Sequence, residues 1–173
     1  MLDVIAPFGR RVYTKGVYLS QLSDASIDVG VEHAATAPPP TAPPTPGTVQ
    51  NYWALGGAIS EDFAEDSCAF SREGATWFWE VATQWDDADD DAKFMTWADR
   101  LHADLKPHVR DNCYINLTTD MGPEWRCGAW GSPAKYQRLR DAKSKWDPGN
   151  MLRYNKNILP NGAEHPASVD SSH

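Results

Sequence analysis

The densest chemistry-bearing residues are five carboxylates in six positions, Asp86-Asp87-Ala88-Asp89-Asp90-Asp91. Such a run resembles a cation-binding loop, yet it lacks the glycine at position six and the glutamate at position twelve that an EF-hand calcium loop uses. The apolar residues that follow give it another use, as the acidic start of a helix, where negative charge meets the positive end of the peptide dipoles. A solvated helix start is the favoured reading and a metal site the alternative. His102 and His108 stand six apart, so they do not share a helical face as a zinc-protease pair does. They read as surface or core histidines. Cys68, Cys113 and Cys127 are an odd number at wide spacing, matching neither a disulfide framework nor a zinc site. No metal ligand set is assigned. Gly-x-Ser-x-Gly elbows, phosphate loops and Gly-x-Gly-x-x-Gly fingerprints are absent from the sequence, so a self-contained hydrolase, nucleotidase or Rossmann enzyme has no support. Asn116-Leu117-Thr118 matches a glycosylation sequon, but the first residues show no charged-then-apolar leader, and the match is read as chance.

The elements that must position any site follow from periodicity. Residues 12 to 19, Val-Tyr-Thr-Lys-Gly-Val-Tyr-Leu, read as a strand. A helix follows, capped by Ser23 or Asp24, with Ile27, Val31 and Ala34 at helical spacing. Six of the thirteen prolines lie between Ala37 and Gly47, a connector that can be neither helix nor central strand. Val49 to Ile59 returns to strand composition, with Gly56-Gly57 marking a bulge or a close backbone approach. Residues 75 to 85 form the third strand. There Trp77, Trp79 and Trp85 share one face, which reads as core beneath a helix, with an aromatic substrate wall as the alternative. Alternation puts Glu80 with Phe78 on the opposite face, where solvent is expected. Phe94, Trp97, Leu101, His102 and Leu105 mark an amphipathic helix ending at Pro107. Tyr114 to Leu117 reads as a fourth, short strand, and Pro133 to Lys145 as a last helix stopped by Asp147-Pro148-Gly149. The sum is an α+β fold: a mostly antiparallel sheet covered by helices, with an extended C-terminal tail segment.

Composition narrows the function. The net charge of −8 is unevenly placed: residues 1 to 112 carry 18 acidic and 8 basic side chains, residues 113 to 173 carry 6 and 8. An acidic body excludes a general nucleic-acid binder, and no apolar run approaches the ~20 residues that span a bilayer. A cytoplasmic location is expected from the unpaired cysteines and the lack of a leader pattern.

The C-terminal third differs in kind. It reads Cys113-Tyr-Ile-Asn-Leu-Thr-Thr-Asp120, then Trp130-Gly131, then Tyr136-Gln-Arg-Leu139, then Lys143-Ser-Lys-Trp-Asp-Pro-Gly-Asn-Met-Leu-Arg-Tyr-Asn-Lys-Asn-Ile158. This resembles the C-terminal region of the berberine bridge enzyme-like FAD-linked oxidases of the vanillyl-alcohol oxidase superfamily. Their pattern is Tyr-x-Asn, Tyr-Gly, a Tyr-x-Arg-Leu helix and Asp-Pro-x-Asn-x-Phe-Arg-x-Asn-x-Asn-Ile. The strand ending Ala-Leu-Gly-Gly-Ala-Ile-Ser60, the aromatic strand ending at Trp85 and the helix holding Trp97 fall in the family's order, so the likeness covers about residues 10 to 160. The departures are Leu152 for the usual Phe, Trp146 for a common Tyr, and Trp130-Gly131 for Tyr-Gly.

The resemblance implies a partial substrate-binding domain at 1–112, with its proline-rich loop at 37–47, a berberine-like segment at 113–160 and a disordered tail at 161–173. It implies FAD as cofactor, a small-molecule substrate, and an FAD-binding domain or partner chain, since nothing here resembles the family's N-terminal half. Carried over by position, Tyr114 is the catalytic Tyr of Tyr-x-Asn, which removes a proton from the substrate OH or NH. A phenol with a pKa near 10 needs a carboxylate or the flavin's field to do so. Its alternative is a strand tyrosine packed under the sheet. Asn116, on the same face of the expected strand, and Asn150 are the cofactor-binding positions, because an amide both donates to and accepts from a flavin edge. Asn150 has a second reading as turn chemistry in Asp147-Pro-Gly-Asn150. The only acidic partner on the expected strands is Glu80. The function read here is the substrate-domain part of an FAD-dependent oxidoreductase that moves a hydride from a CH–OH or CH–N carbon to flavin, inactive alone. A cofactor-free binding module is the alternative.

Overall fold

Three strands and four helices account for the regular structure in the computed structural model, which describes residues 9–41, 47–59, 67–110, 112–154 and 156–163. Strand β1 is Arg11–Leu19, helix α1 Asp24–Ala35, β2 Thr48–Ala54 and β3 Trp77–Trp85. Helices α2 (Asp91–Leu105), α3 (Pro123–Ala129) and α4 (Pro133–Trp146) complete the set. The strands form one antiparallel sheet in the order β1-β3-β2, so the α+β architecture read from the sequence is the one present. No helix among the described residues is long and apolar enough to cross a membrane.

One face of the sheet is covered by helices. Val17, Leu19, Trp79 and Val81 point to it and meet Trp97, Ala98, Leu101 and Leu105 of α2 in the main core. Trp85 stacks on Phe94 with centroids 5.1 Å apart. The tryptophans of β3 are therefore core, as the alternation implied. Each such large side chain taken out of water contributes roughly 1.5–3 kcal/mol. Two polar groups on this face meet at Asp99 of α2, which takes a hydrogen bond from Tyr13 Oη at 2.8 Å and pairs with Lys15 at 3.1 Å. His33 of α1 lies 2.8 Å from Asp104, tying the two helices together.

The acidic run does the work of a helix start. Asp87 caps the turn Ala88–Asp90 by accepting from the Asp89 N–H. Asp91 accepts from the Arg11 guanidinium and from Trp85 Nε1, and the Arg11 bond holds its carboxyl below the usual range. Asp86 pairs with Arg10 and with Thr41, which pins the start of the proline-rich connector. Connector residues 42–46 lie outside the described residues.

Three expectations need correction. Strand β2 ends at Ala54, not near Ile59: Gly57, at φ 59°, opens a short 3₁₀ turn, Gly57–Ile59, a conformation that costs a glycine little. Tyr114 to Leu117 is not a fourth strand but another 3₁₀ turn, Ile115–Leu117. The segment does run along the free edge of β1, where Arg110 N–H donates to Tyr18 O and Thr119 N–H to Thr14 O, each within 2.9 Å. Between those anchors the backbone bonds to itself, Leu117 N–H and Thr118 Oγ1 both donating to Tyr114 O, a local closure that competes with the ladder. The first residues of the tail expected at 161–173 pack on the last helix. Asn161 is held on α4 by Ser144, Gln137 and Asp141, and Arg140 donates to the carbonyls of Leu159 and Pro160. Residues 164–173 lie outside the described residues.

Candidate functional site

The second face of the sheet carries a different set of residues, arranged in rungs by the strand register. Tyr18, Phe78 and Trp53 are paired across all three strands, and the next rung on the same face is Gly16, Glu80 and Asn51. Successive same-face rungs lie roughly 7 Å apart along the strands. An aromatic row thus stands beside a polar one.

The turn at Tyr114 sits on these rungs. A β-carbon at Gly16 would come within 2.5 Å of Thr118 Oγ1 and 2.8 Å of the Phe78 ring, so glycine in the middle of β1 is what admits the segment. In a 3₁₀ turn residues three apart eclipse. Tyr114 and Leu117 accordingly turn the same way and line an apolar recess of about 350 Å³, while Ile115 is buried with Cys113 and Ala129. Tyr18, Trp53, Phe70 and Phe78 complete the aromatic lining, with Leu55, Ile59 and Arg72 beside them. The Tyr114 ring stands edge-on to Phe70 at 5.5 Å and to Phe78 at 5.9 Å.

Tyr114 and Asn116 do come together, though by turn geometry rather than strand alternation. Asn116 is exposed, and its Nδ2 donates to Tyr114 Oη at 3.1 Å. The phenol hydrogen is left free to point elsewhere. Glu80, expected in solvent, is buried at 7% exposure, and its carboxylate accepts from Asn51 Nδ2 at 3.2 Å. Alternation placed it on the correct face, but the face is covered there by the turn docked at Gly16.

Asn150 does not line this recess. It adopts the left-handed region at φ 50°, its N–H donates to Asp147 O, and its Oδ1 is buried with no hydrogen-bond partner among the described residues. Asp147 organises the loop: its carboxylate accepts from Met151 N–H and Leu152 N–H and from Lys143 Nζ, which together hold its pKa down to about 2. Around this clamp Trp146, Met151, Leu152 and Tyr154 are all at least 79% exposed.

The comparisons with known proteins bear on this segment first. Residues 113–159 match the family model described as berberine and berberine-like. This stretch is similar to that family's segment. Over 116 residues, 66% of this chain and 25% of the relative, the sequence is 27% identical to a Bacillus subtilis protein named uncharacterized FAD-linked oxidoreductase YvdP. Among solved structures, the fold matches Physcomitrella patens BBE-like 1 with a TM-score of 0.71 at 19% identity, covering 92% of this chain and 32% of that one. Berberine bridge enzyme from Eschscholzia californica matches with a TM-score of 0.71 at 19% identity, covering 93% and 35%. CrmK, a flavoenzyme of caerulomycin biosynthesis, matches with a TM-score of 0.69 at 24% identity, covering 91% and 34%. The resemblance read from the sequence is confirmed. The chain spans about a third of the length of these solved relatives and a quarter of the Bacillus protein.

Asn116 is solvent-facing with its Oδ1 available to accept, which fits the N–H and C=O pattern of an isoalloxazine edge. Asn150 would have to rotate its amide out of the turn to reach a cofactor. The residues that sequence reasoning missed are Tyr18, Trp53 and Phe70. The first two have the same parity as Phe78 only through the strand register, which residue types alone do not reveal. Phe70 sits in a loop with no periodic signal.

Proposed function

We propose that this chain is the substrate-side part of an FAD-dependent oxidoreductase that takes a hydride from a CH–OH or CH–N carbon. The observation that carries the reading is the Tyr114–Asn116 pair at an apolar recess on the uncovered face of the sheet, within the berberine-like segment. FAD, when bound, supplies the hydride acceptor. This chain's part is to bind and orient the substrate and to handle the proton. Tyr114 Oη takes the proton from the substrate OH or NH, and a neutral phenol can do so only by passing its own on. Glu80, the carboxylate on the same face, is the proposed final acceptor. Asn116, and Asn150 after rotation of its amide, would hold the flavin edge.

The partner is a missing FAD-binding region, on this chain or another. The four exposed apolar side chains around Asp147 support a docking surface, since monomeric proteins seldom expose large contiguous apolar patches. Alone, the chain should turn over no substrate. Intact mass and a visible absorption spectrum of the protein from its natural source test the proposal together. A yellow species, larger than 19.2 kDa or accompanied by a second chain, is expected. A colourless 19.2 kDa species would instead support a cofactor-free interaction module, which the same exposed patch also favours.

A further inference from the structure

A second cavity, of about 700 Å³, lies between the end of α2 and helix α3 and shares no lining residue with the recess beside Tyr114. Its size is in the middle of the range for small-molecule sites. We propose that it binds an aromatic carboxylic acid in its anionic form. The chain leaves α2 through the turn Lys106–His108 and then runs along the free edge of β1, which brings Lys106, Val109 and Arg110 to the cavity. Asp120 pairs with the Arg126 guanidinium and accepts from the Gly122 N–H at 3.0 Å, which sets the start of α3 and so brings Glu124 and Trp125 to it.

Charge decides the class of ligand. The side chains of Lys106, Arg110 and Glu124 line the cavity, and none has an ion pair or hydrogen bond among the described residues. Two cations and one carboxylate leave a single positive charge, a local surplus in a chain of net charge −8. One ligand carboxylate balances it, whereas a phosphate monoester would overshoot. His102 adds a polar group without a charge, because burial, and after it Lys15 and Lys106, push its pKa below the ordinary imidazole value. Arg110 is seated by a glycine: a β-carbon at Gly74, φ 66°, would come within 2.7 Å of Arg110 Cζ, so the guanidinium rests against bare backbone. A guanidinium grips a carboxylate through two parallel N–H···O bonds, which a point charge does not match.

The remaining wall is mostly apolar. Val17, Val109, Met121 and Trp125 offer surface to a ring. Cys113 joins them, since burial raises its thiol pKa to about 11 and keeps it neutral and unreactive at physiological pH.

The test uses the whole chain without flavin and three probes built on one ring system, 2-naphthoate, 2-naphthalenemethanol and 2-naphthyl phosphate. They are titrated at neutral pH by two-dimensional NMR, with the indole N–H signals as reporters. The carboxylate should shift the Trp125 indole and bind about tenfold more tightly than the neutral alcohol, the order of one charge-assisted pair. The phosphate ester should bind no more tightly than the carboxylate, and should gain on it in Glu124→Gln. Arg110→Gln should weaken the carboxylate by about tenfold, and Lys106→Gln should act in the same direction; both side chains are exposed, so the fold has little to lose. Val31→Ser, in the separate apolar groove between α1 and β2, should change nothing. Equal affinity for the alcohol, tighter binding of the phosphate ester to the parent chain, unchanged affinity in Arg110→Gln, or a shift of the Trp53 indole with Trp125 unmoved would each overturn the proposal. The comparison of probes is made on the parent chain and involves no flavin, so its failure leaves the oxidoreductase reading standing.

Discussion

The two faces of one three-stranded sheet are built to different ends. On the covered face, large apolar side chains meet α2 and each polar group noted there has a partner close by: Lys15 and Tyr13 on Asp99, Gln50 on the Gly30 carbonyl. On the other face, aromatic rings line a recess, Glu80 is buried on the neighbouring rung with Asn51 as its donor, and a turn is docked where a glycine permits it. Packing that closes on itself gives stability. A concave, mostly apolar surface with few polar groups is the usual form of a small-molecule site.

The largest expected contrast comes from removing one tryptophan from each face. Trp79→Ala should destabilise the chain by about 3–5 kcal/mol, as for other buried aromatics, while Trp53→Ala should change stability by less than about 1 kcal/mol. Thermal unfolding of the two variants measures this directly, and equal losses would break the division between faces. Next is Gly16→Val, which drives a side chain into Thr118 and Phe78. Overpacking of this kind costs about 1–3 kcal/mol, and here it should also displace Tyr114, read as loss of the Tyr114 ring contacts in NMR spectra.

Tyr13→Phe is expected to cost about 1 kcal/mol by removing the bond to Asp99 on the covered face. Burial and that same bond push the Tyr13 phenol well above its ordinary pKa, so in the parent chain its absorbance should resist alkaline titration. The smallest effect belongs to neither face. Asp147 is ionised in the folded loop down to about 2, against about 4 in an unfolded chain. Its contribution is therefore complete above pH ~4 and lost as pH falls through about 2. Local broadening of the Met151 and Leu152 amides in that window, ahead of any global change, is the expected signature.

Much of the fold was legible in residue patterns because it rests on strong periodicity. The α2 helix follows from Phe94, Trp97, Leu101 and Leu105, and the buried tryptophans from alternation along β3. Helix α3 was not legible: its seven residues hold Pro123 and Gly128, and its start depends on Gly122 at φ 99° and on Asp120 accepting from the Gly122 N–H. The 114–117 turn was misread as a strand because its β-like composition says nothing of Thr118 reaching back to the Tyr114 carbonyl. Of the site, Tyr114 and Asn116 came from the family likeness, and their contact from the structure. The aromatic recess required the strand register, a long-range property with no local signal.

The clamp at Asp147 has a consequence for association. Two backbone amides and Lys143 fix the loop from within the chain, so Trp146, Met151, Leu152 and Tyr154 are presented on a frame that is already set. Whatever surface meets them finds the backbone preorganised: the ordering entropy of the loop is spent at folding, and contact immobilises side chains alone.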